Sequence, residues 1–305
     1  MALLDSLGPF EKGMSRAAEI FIGSKPDIIL APMMGSVPFI DCMHIVNEEF
    51  ETDKVYYMPA SSGIENIQQI MRLWMANFLD EIARLDQPVR IMGIDEVVSG
   101  NSSLRVHKAI TEEVDKKKRD SITRILNGFN IYDSTAFQKA ASDFDGWTGY
   151  RHHDFLENLV QEQMTGLAER MERVRELRRD LLTRIKEYTR GLLSYKSIGI
   201  EDAKAEGKRN RQYLQLVESG LIIPVGVEAI VSMDKPNLCP AKYKKIADKS
   251  EVIRYSPIVE GFVVTPQYLD FLHNIATLSG KNPEQVSPVN LNRILESSKY
   301  LTSRC

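Results

Sequence analysis

Along the chain, apolar positions recur at two periods, about two residues and about 3.6, in an order that predicts helix, strand and helix in succession. Residues 10–22 read as a helix, with Pro9 just before it and Phe10, Met14, Ala17, Ala18 and Phe21 on one face. Asp27 to Met33 is a compact apolar strand. Met34 to Pro38 is a turn, and Phe39 to Phe50 reads as helix. Val55 to Pro59 is a second strand, followed by the polar loop Ala60-Ser61-Ser62-Gly63. Ile64 to Leu85 then carries Ile67, Ile70, Met71, Trp74, Phe78, Leu79 and Ile82 as a helical stripe. A third strand begins at Val89, and a helix follows over 102–118. Strands alternating with helices predict an α/β fold, a parallel sheet flanked by helices.

The pattern then changes. Between Asp120 and Gly220 almost nothing is strand-like. Asn127 to Tyr150 is rich in loop residues. Asp154 to Leu193 reads as one long helix, with Val160, Met164, Leu167, Met171, Val174, Leu181, Ile185, Tyr188 and Leu192 forming a heptad-like seam. A second helix, Glu201 to Glu218, folds back across Ser197-Ile198-Gly199. The expected organisation is an α/β core made of residues 1–118 and 219–305, with a coiled-coil-like helical hairpin inserted at 119–218. From Leu221 the strand pattern resumes. Leu221 to Met233 holds a strand, which Asp234-Lys235-Pro236 breaks. Val252 to Val264 holds at least one more. Pro266 opens a helix bearing Tyr268, Leu269, Phe271, Leu272 and Ile275, and a last helix spans Val289 to Leu301 with Asn290 as its cap.

Composition narrows the class without naming a function. The chain has 305 residues, 43% hydrophobic and 27% charged, with a formal net charge of −3. Nothing in that balance points to nucleic acid or an anionic membrane. No apolar run approaches the ~20 residues that span a bilayer, and the start, Met1-Ala2-Leu3-Leu4-Asp5, lacks a signal-peptide pattern. Cys42, Cys239 and Cys305 are far apart and suit a reducing compartment. The expectation is a cytoplasmic protein with neither membrane nor nucleic-acid partners. Arg151-His152-His153-Asp154 has no further ligand at metal spacing, so Asp154 reads as a helix cap instead. The cations Lys116-Lys117-Lys118-Arg119 read as a helix C-terminus. Lys204, Lys208, Arg209 and Arg211 read as a solvated basic face.

Chemistry concentrates in one stretch, Val89 to Ser103, Val-Arg-Ile-Met-Gly-Ile-Asp-Glu-Val-Val-Ser-Gly-Asn-Ser-Ser. An apolar strand runs into Asp95 and Glu96, then into a loop of small residues, then into a helix. Gly100 allows close backbone approach to a phosphate. Loop and first-turn N–H groups point at such an anion, and the helix dipole favours it. Val98, Ser99, Gly100, Asn101, Ser102 and Ser103 are therefore the candidate phosphate loop. Asp95 and Glu96 are candidates to hold vicinal hydroxyls or a hard cation.

This stretch resembles the phosphoribosyl-pyrophosphate-binding signature of the type I phosphoribosyltransferases. The matching run is Ile91-Met92-Gly93-Ile94, Asp95-Glu96, Val97-Val98, then Ser99-Gly100-Asn101-Ser102. The match is close over about fifteen residues and looser over Pro26 to Lys118. The commonest family loop has one more residue between the acids and the glycine. The resemblance implies a phosphoribosyltransferase-like sheet, binding of phosphoribosyl pyrophosphate or a related sugar phosphate with Mg²⁺, and transfer of the phosphoribosyl group to a base-like acceptor. It implies that Asp95 and Glu96 hold the ribose hydroxyls and act on Mg²⁺ indirectly, and that Ser99 to Ser103 hold the 5′-phosphate. It places the pyrophosphate loop at Met33, Met34, Gly35 and Ser36, where the family often has a basic residue. It points to Lys235 beside the transferred base, with Phe262 or Tyr268 covering it. The long catalytic hairpin of many members is represented only by Ser61-Ser62-Gly63. A non-catalytic nucleotide or phosphoribosyl-compound binder is the alternative. Family cores commonly pair, and the apolar stripes at 67–82 and 160–192 lead us to expect a homodimer.

Overall fold

The computed structural model describes residues 2–33, 35–82, 89–128, 179, 183, 193–228, 233–247 and 250–302. The chain divides into two compact units. One comprises Met1–Glu81, Arg90–Thr111 and Tyr195–Cys305, and the other Ile82–Val89 and Glu112–Ser194.

The first unit is built on a parallel sheet. Its strands are β1 (Ile28–Pro32), β2 (Val55–Met58), β3 (Val89–Val97), β4 (Leu193–Asp202) and β5 (Ile222–Val227), in the order β2-β1-β3-β4-β5. Ile29 lies opposite Val55, Ile28 opposite Ile91, and Ser197 opposite Ile222. Every residue of β1 is buried, as expected for an inner parallel strand covered on both faces. The order reverses between β1 and β3: the chain leaves β1 for β2 on one side, then returns to β3 on the other.

One face is covered by α1 (Ala2–Ser24), α2 (Val37–Val46) and the helix Pro266–Leu278, α6 in chain order after α3 (Ile67–Ile82), α4 (Asn101–Gly128) and α5 (Arg211–Glu218). Phe10 meets Phe271 edge-on at 5.9 Å between ring centres, and Phe21 meets Phe50 at 5.6 Å. Gly13 lets α1 lie against Val227 of β5. On α3, Phe78 packs on Tyr56 of β2 at 5.0 Å and stacks on Trp74 at 4.8 Å. A smaller cluster joins Val97, Tyr213 and Ile222, with Leu104 and Leu216 against it. The strands β6 (Asn237–Ala247) and β7 (Ser250–Val263) form an antiparallel hairpin. It meets the loop before α3 where the Tyr255 N–H donates to the Gly63 carbonyl at 3.1 Å. The chain closes with α7 (Leu291–Glu296) and a 3₁₀ turn at Ser297–Leu301.

Several sequence expectations need correcting. The first helix begins at Ala2 and carries Pro9 inside it, because buried Leu7 continues the Phe10–Met14 stripe by one more turn. The second helix stops at Val46 instead of Phe50, and α4 runs to Gly128, so Lys116 to Arg119 lie within the helix and not at its end. Asn290 stands before α7 with φ +56° but makes no capping bond; its amide donates to the Thr52 carbonyl instead.

The main correction concerns 193–218. The expected end of a long helix, its turn and the start of a second helix are instead β4, lodged between β3 and β5. Ile198 and Ile200 point two residues apart into the core, a strand period. A 3₁₀ turn at Ala203–Lys208 follows, and only Arg211–Glu218 is α-helical. The hairpin strand β6 was also not expected. The seam at Val160 to Leu192, and Asp154 as a cap, lie outside the described residues. The α3 stripe is covered by its own chain: the Trp74 indole N–H donates to the Ser297 carbonyl at 2.9 Å, and Tyr300 packs on Trp74 and Phe78. Ile67, Ile70 and Ile82, the outer members of that stripe, are half-buried.

Candidate functional site

In open α/β sheets, ligands bind beyond the carboxyl ends of the strands at the point where strand order reverses. Here that point lies between β1 and β3. The end of β1 supplies Met33, Gly35 and Ser36, and the end of β3 supplies Asp95 and Glu96. The Ser36 hydroxyl donates to the Ile94 carbonyl at 3.3 Å and ties the two strand ends together. A methyl group added at Gly35 lies 3.7 Å from Glu96 Oε2, so the first loop faces the second acid directly. Met33 is buried and its N–H donates to the Met58 carbonyl at 3.0 Å. Met34 lies outside the described residues.

The two acids occupy opposite faces of β3, as alternation along a strand requires. Asp95 is buried at 7% exposure and accepts a hydrogen bond from the Ser103 hydroxyl at 2.8 Å. Burial pushes its carboxyl up to about 6, against the pull of the Ser103 hydroxyl and the Glu96 N–H. Its position locks the strand end to the first turn of α4. Glu96 is the more accessible acid, and Lys235 Nζ pairs with its Oε2 at 3.0 Å. Lys235 sits just before β6, so two sequence candidates 139 residues apart meet at one carboxylate.

Between them the phosphate loop is a tight turn. Gly100 has φ +79°, in the region that favours glycine. A Cβ there would lie 2.5 Å from Cγ of Tyr213. Val98 is exposed, Ser99, Ser102 and Asn101 are at or near the surface, and Ser103 is buried. The Leu104 N–H donates to the Gly100 carbonyl at 2.9 Å, closing the first helical turn. The Asn210 N–H donates to the Ser99 carbonyl at 2.9 Å, and the Asn210 amide donates to Asn101 Oδ1, also at 2.9 Å. Asn210 in turn caps α5, its Oδ1 accepting from the Gln212 N–H at 2.8 Å.

Sequence reasoning missed the neighbouring strand end. Glu201, at the end of β4, accepts from the Tyr213 hydroxyl at 2.7 Å and pairs with Arg209 at 3.0 Å. Asp202 is buried and accepts the Lys204 N–H at 2.9 Å. Burial, and then the Glu201 carboxylate, push the Tyr213 hydroxyl up, so it stays protonated as a donor. A signal was present: β3 runs Gly93-Ile94-Asp95-Glu96 just before its last residue, Val97, and β4 ends Gly199-Ile200-Glu201-Asp202. The same order of glycine, isoleucine and two acids recurs near the end of two adjacent strands. Arg209, read as part of a solvated basic face, is instead largely buried against Glu201.

The acceptor candidates separate. Lys235 reaches the site. Tyr268 does not: it is wholly buried on α6 and its hydroxyl donates to Asp41. Phe262 packs against the main core from β7. Ser61 is engaged locally, its Oγ accepting the Gly63 N–H at 3.2 Å.

Magnesium is usually held by one or two carboxylates together with substrate phosphates. Glu96, partly exposed and facing the Gly35 loop, fits one such ligand. Among the described residues, no three His, Cys, Asp or Glu side chains are grouped to hold a metal alone. No helix among the described residues is long and apolar enough to cross a membrane. Compared with known proteins, the chain matches no family model, no curated protein and no solved structure.

Proposed function

We propose that the chain binds phosphoribosyl pyrophosphate, or a related sugar phosphate, at the carboxyl ends of β1 and β3, and transfers the phosphoribosyl group to a base-like acceptor. The observation carrying this reading is the acidic pair at the reversal of strand order, followed at once by a glycine with positive φ and a helix start. The backbone N–H groups of 99–103 receive the 5′-phosphate. Glu96 faces the loop of Gly35 and Ser36, where the pyrophosphate lies. Mg²⁺, when bound, neutralises charge on that leaving group. Asp95 holds the loop in place through Ser103 and acts as a positioning residue. Lys235 stands beside Glu96 and exchanges that partner for the ligand's anionic or acceptor groups. Rate enhancement by such a site rests on positioning and fixed electrostatics more than on a strong base.

Calorimetric titration with phosphoribosyl pyrophosphate and Mg²⁺ tests the binding half. Glu96→Gln is expected to weaken Mg²⁺-dependent binding at least about tenfold. Unchanged affinity in Asp95→Asn/Glu96→Gln would remove the site assignment. Pyrophosphate release in the presence of a panel of bases tests the transfer half.

A second reading is a sugar-phosphate binder without transfer. The burial of Asp95 and the Lys235–Glu96 pair favour it, since both acids already have protein partners. Tight binding with no pyrophosphate release on any acceptor would select it.

A further inference from the structure

A second cleft lies beside the strand-end site, between α4 and α5, and meets it at Asn101. Its volume is about 570 Å³, within the ~300–1,000 Å³ of small-molecule sites. Leu104 and Leu216 give it apolar walls, and both pack onto the Val97–Tyr213–Ile222 cluster beneath. Gln212 and Gln215 line it from exposed positions one turn apart on α5. Each amide presents a donor and an acceptor. Arg105 and His107 line it from α4, and no carboxylate is among its lining residues. Arg105 Nε and His107 Nδ1 are buried without a hydrogen-bond partner among the described residues. Burial holds the His107 imidazole below its usual value. Unpartnered buried polar atoms are uncommon in folded proteins and call for an explanation.

We propose that this cleft is a nucleotide site, separate from the sugar-phosphate site. A planar base fits between the two leucines, with its edge hydrogen-bonded by Gln212 and Gln215. The phosphate meets the Arg105 guanidinium, whose planar fork matches phosphate oxygens. The same cleft includes Asn101 and Asn210, whose side chains are bonded to each other across the end of the phosphate loop. An occupant therefore touches both sides of the contact that ties α5 to that loop. The inference rests on this cleft and not on the transfer reaction.

The test is calorimetric titration of the full chain with AMP, GMP, CMP and UMP, and with inorganic phosphate alone. It is done on the native chain and on Asp95→Asn/Glu96→Gln, which disables the strand-end site. At least one nucleotide is expected to bind both proteins equally, and about tenfold more tightly than phosphate. Gln215→Glu places a carboxylate in the cleft from an exposed position that the fold tolerates. It is expected to weaken that nucleotide at least about tenfold, as is Arg105→Gln. On the native chain the side-chain amide NMR signals of Gln212 and Gln215 are expected to shift with the same saturation. Four outcomes each overturn the proposal: no nucleotide bound, phosphate bound as tightly as nucleotide, binding lost in Asp95→Asn/Glu96→Gln, or binding unaltered in Gln215→Glu. Because the double variant is one arm, failure here is distinguishable from failure of sugar-phosphate binding.

Discussion

At the scale of single residues, two positions carry conditions that the rest of the fold must meet. Gly100 combines a positive φ with a ring pressed against its α-carbon. Gly100→Ala adds backbone strain of about 1–3 kcal/mol and a clash with Tyr213. The expected outcome is a Tm lower by several degrees and loss of phosphate-loop binding, read by thermal melting and titration. A variant with unchanged Tm would show that the loop relaxes without cost.

Asp41 is the second such position. It is buried in α2, accepts the Val289 N–H at 2.8 Å on one oxygen, and accepts a hydrogen bond from the Tyr268 hydroxyl on the other. Burial pushes its carboxyl from 3.8 to about 7, against those two hydrogen bonds. The folded state thus holds the Asp41 carboxyl proton more tightly than the unfolded chain does. Its contribution to stability is full below pH 4 and is lost as pH rises through 7, an effect on the order of 4 kcal/mol. Asp95, raised to about 6, acts in the same direction over a narrower window. In Asp41→Asn the amide oxygen still accepts the Val289 N–H, and the amide NH2 donates to the Tyr268 hydroxyl oxygen. Denaturant melts from pH 4 to 8 are expected to show a smaller fall in stability for Asp41→Asn than for the native chain. Parallel slopes would mean that Asp41 is ionised throughout.

At the scale of elements, the contact between β4 and α5 decides how the phosphate loop is supported. Tyr213 lies under Gly100, and its hydroxyl reaches Glu201 on β4. Tyr213→Phe keeps the ring but leaves Glu201 with Arg209 alone. Removing one partner of a buried hydrogen bond costs about 1–3 kcal/mol. Denaturant midpoints measure that loss. Sugar-phosphate affinity is expected to fall less than in Gly100→Ala, because the ring still holds the loop. An undiminished midpoint would mean that Arg209 and water satisfy Glu201.

At the scale of the whole molecule, the sheet-bearing unit is assembled from three separate stretches of chain. The strand β4 belongs to the last of them and lies between β3 and β5. A variant lacking 125–215 removes that inner strand together with residues 211–215 of α5. It is expected to show no cooperative thermal transition, since β3 and β5 lose their shared neighbour. A sharp transition retained by this variant would show that β3 and β5 pair directly.

Local pattern was enough to establish much of the chain. The stripes on α1, α3 and α6, the strands β1, β2, β3 and β5, and the acidic pair before a small-residue loop are all legible from spacing and residue type, because each buries one face or ends at a turn that those residues favour. Resemblance pointed to Lys235 only as a neighbour of the transferred base; its pairing with Glu96 across 139 residues is the work of the fold. Only the tertiary structure decided β4. Tyr195 to Asp202 is short, with a glycine at its centre, and its strand character comes from the slot between two existing strands, which satisfies its backbone on both sides. The same holds for Tyr268, whose place on an apolar helix face was plain while its partner was not. A buried acid on another helix claims its hydroxyl, and no periodicity within either helix encodes that pairing.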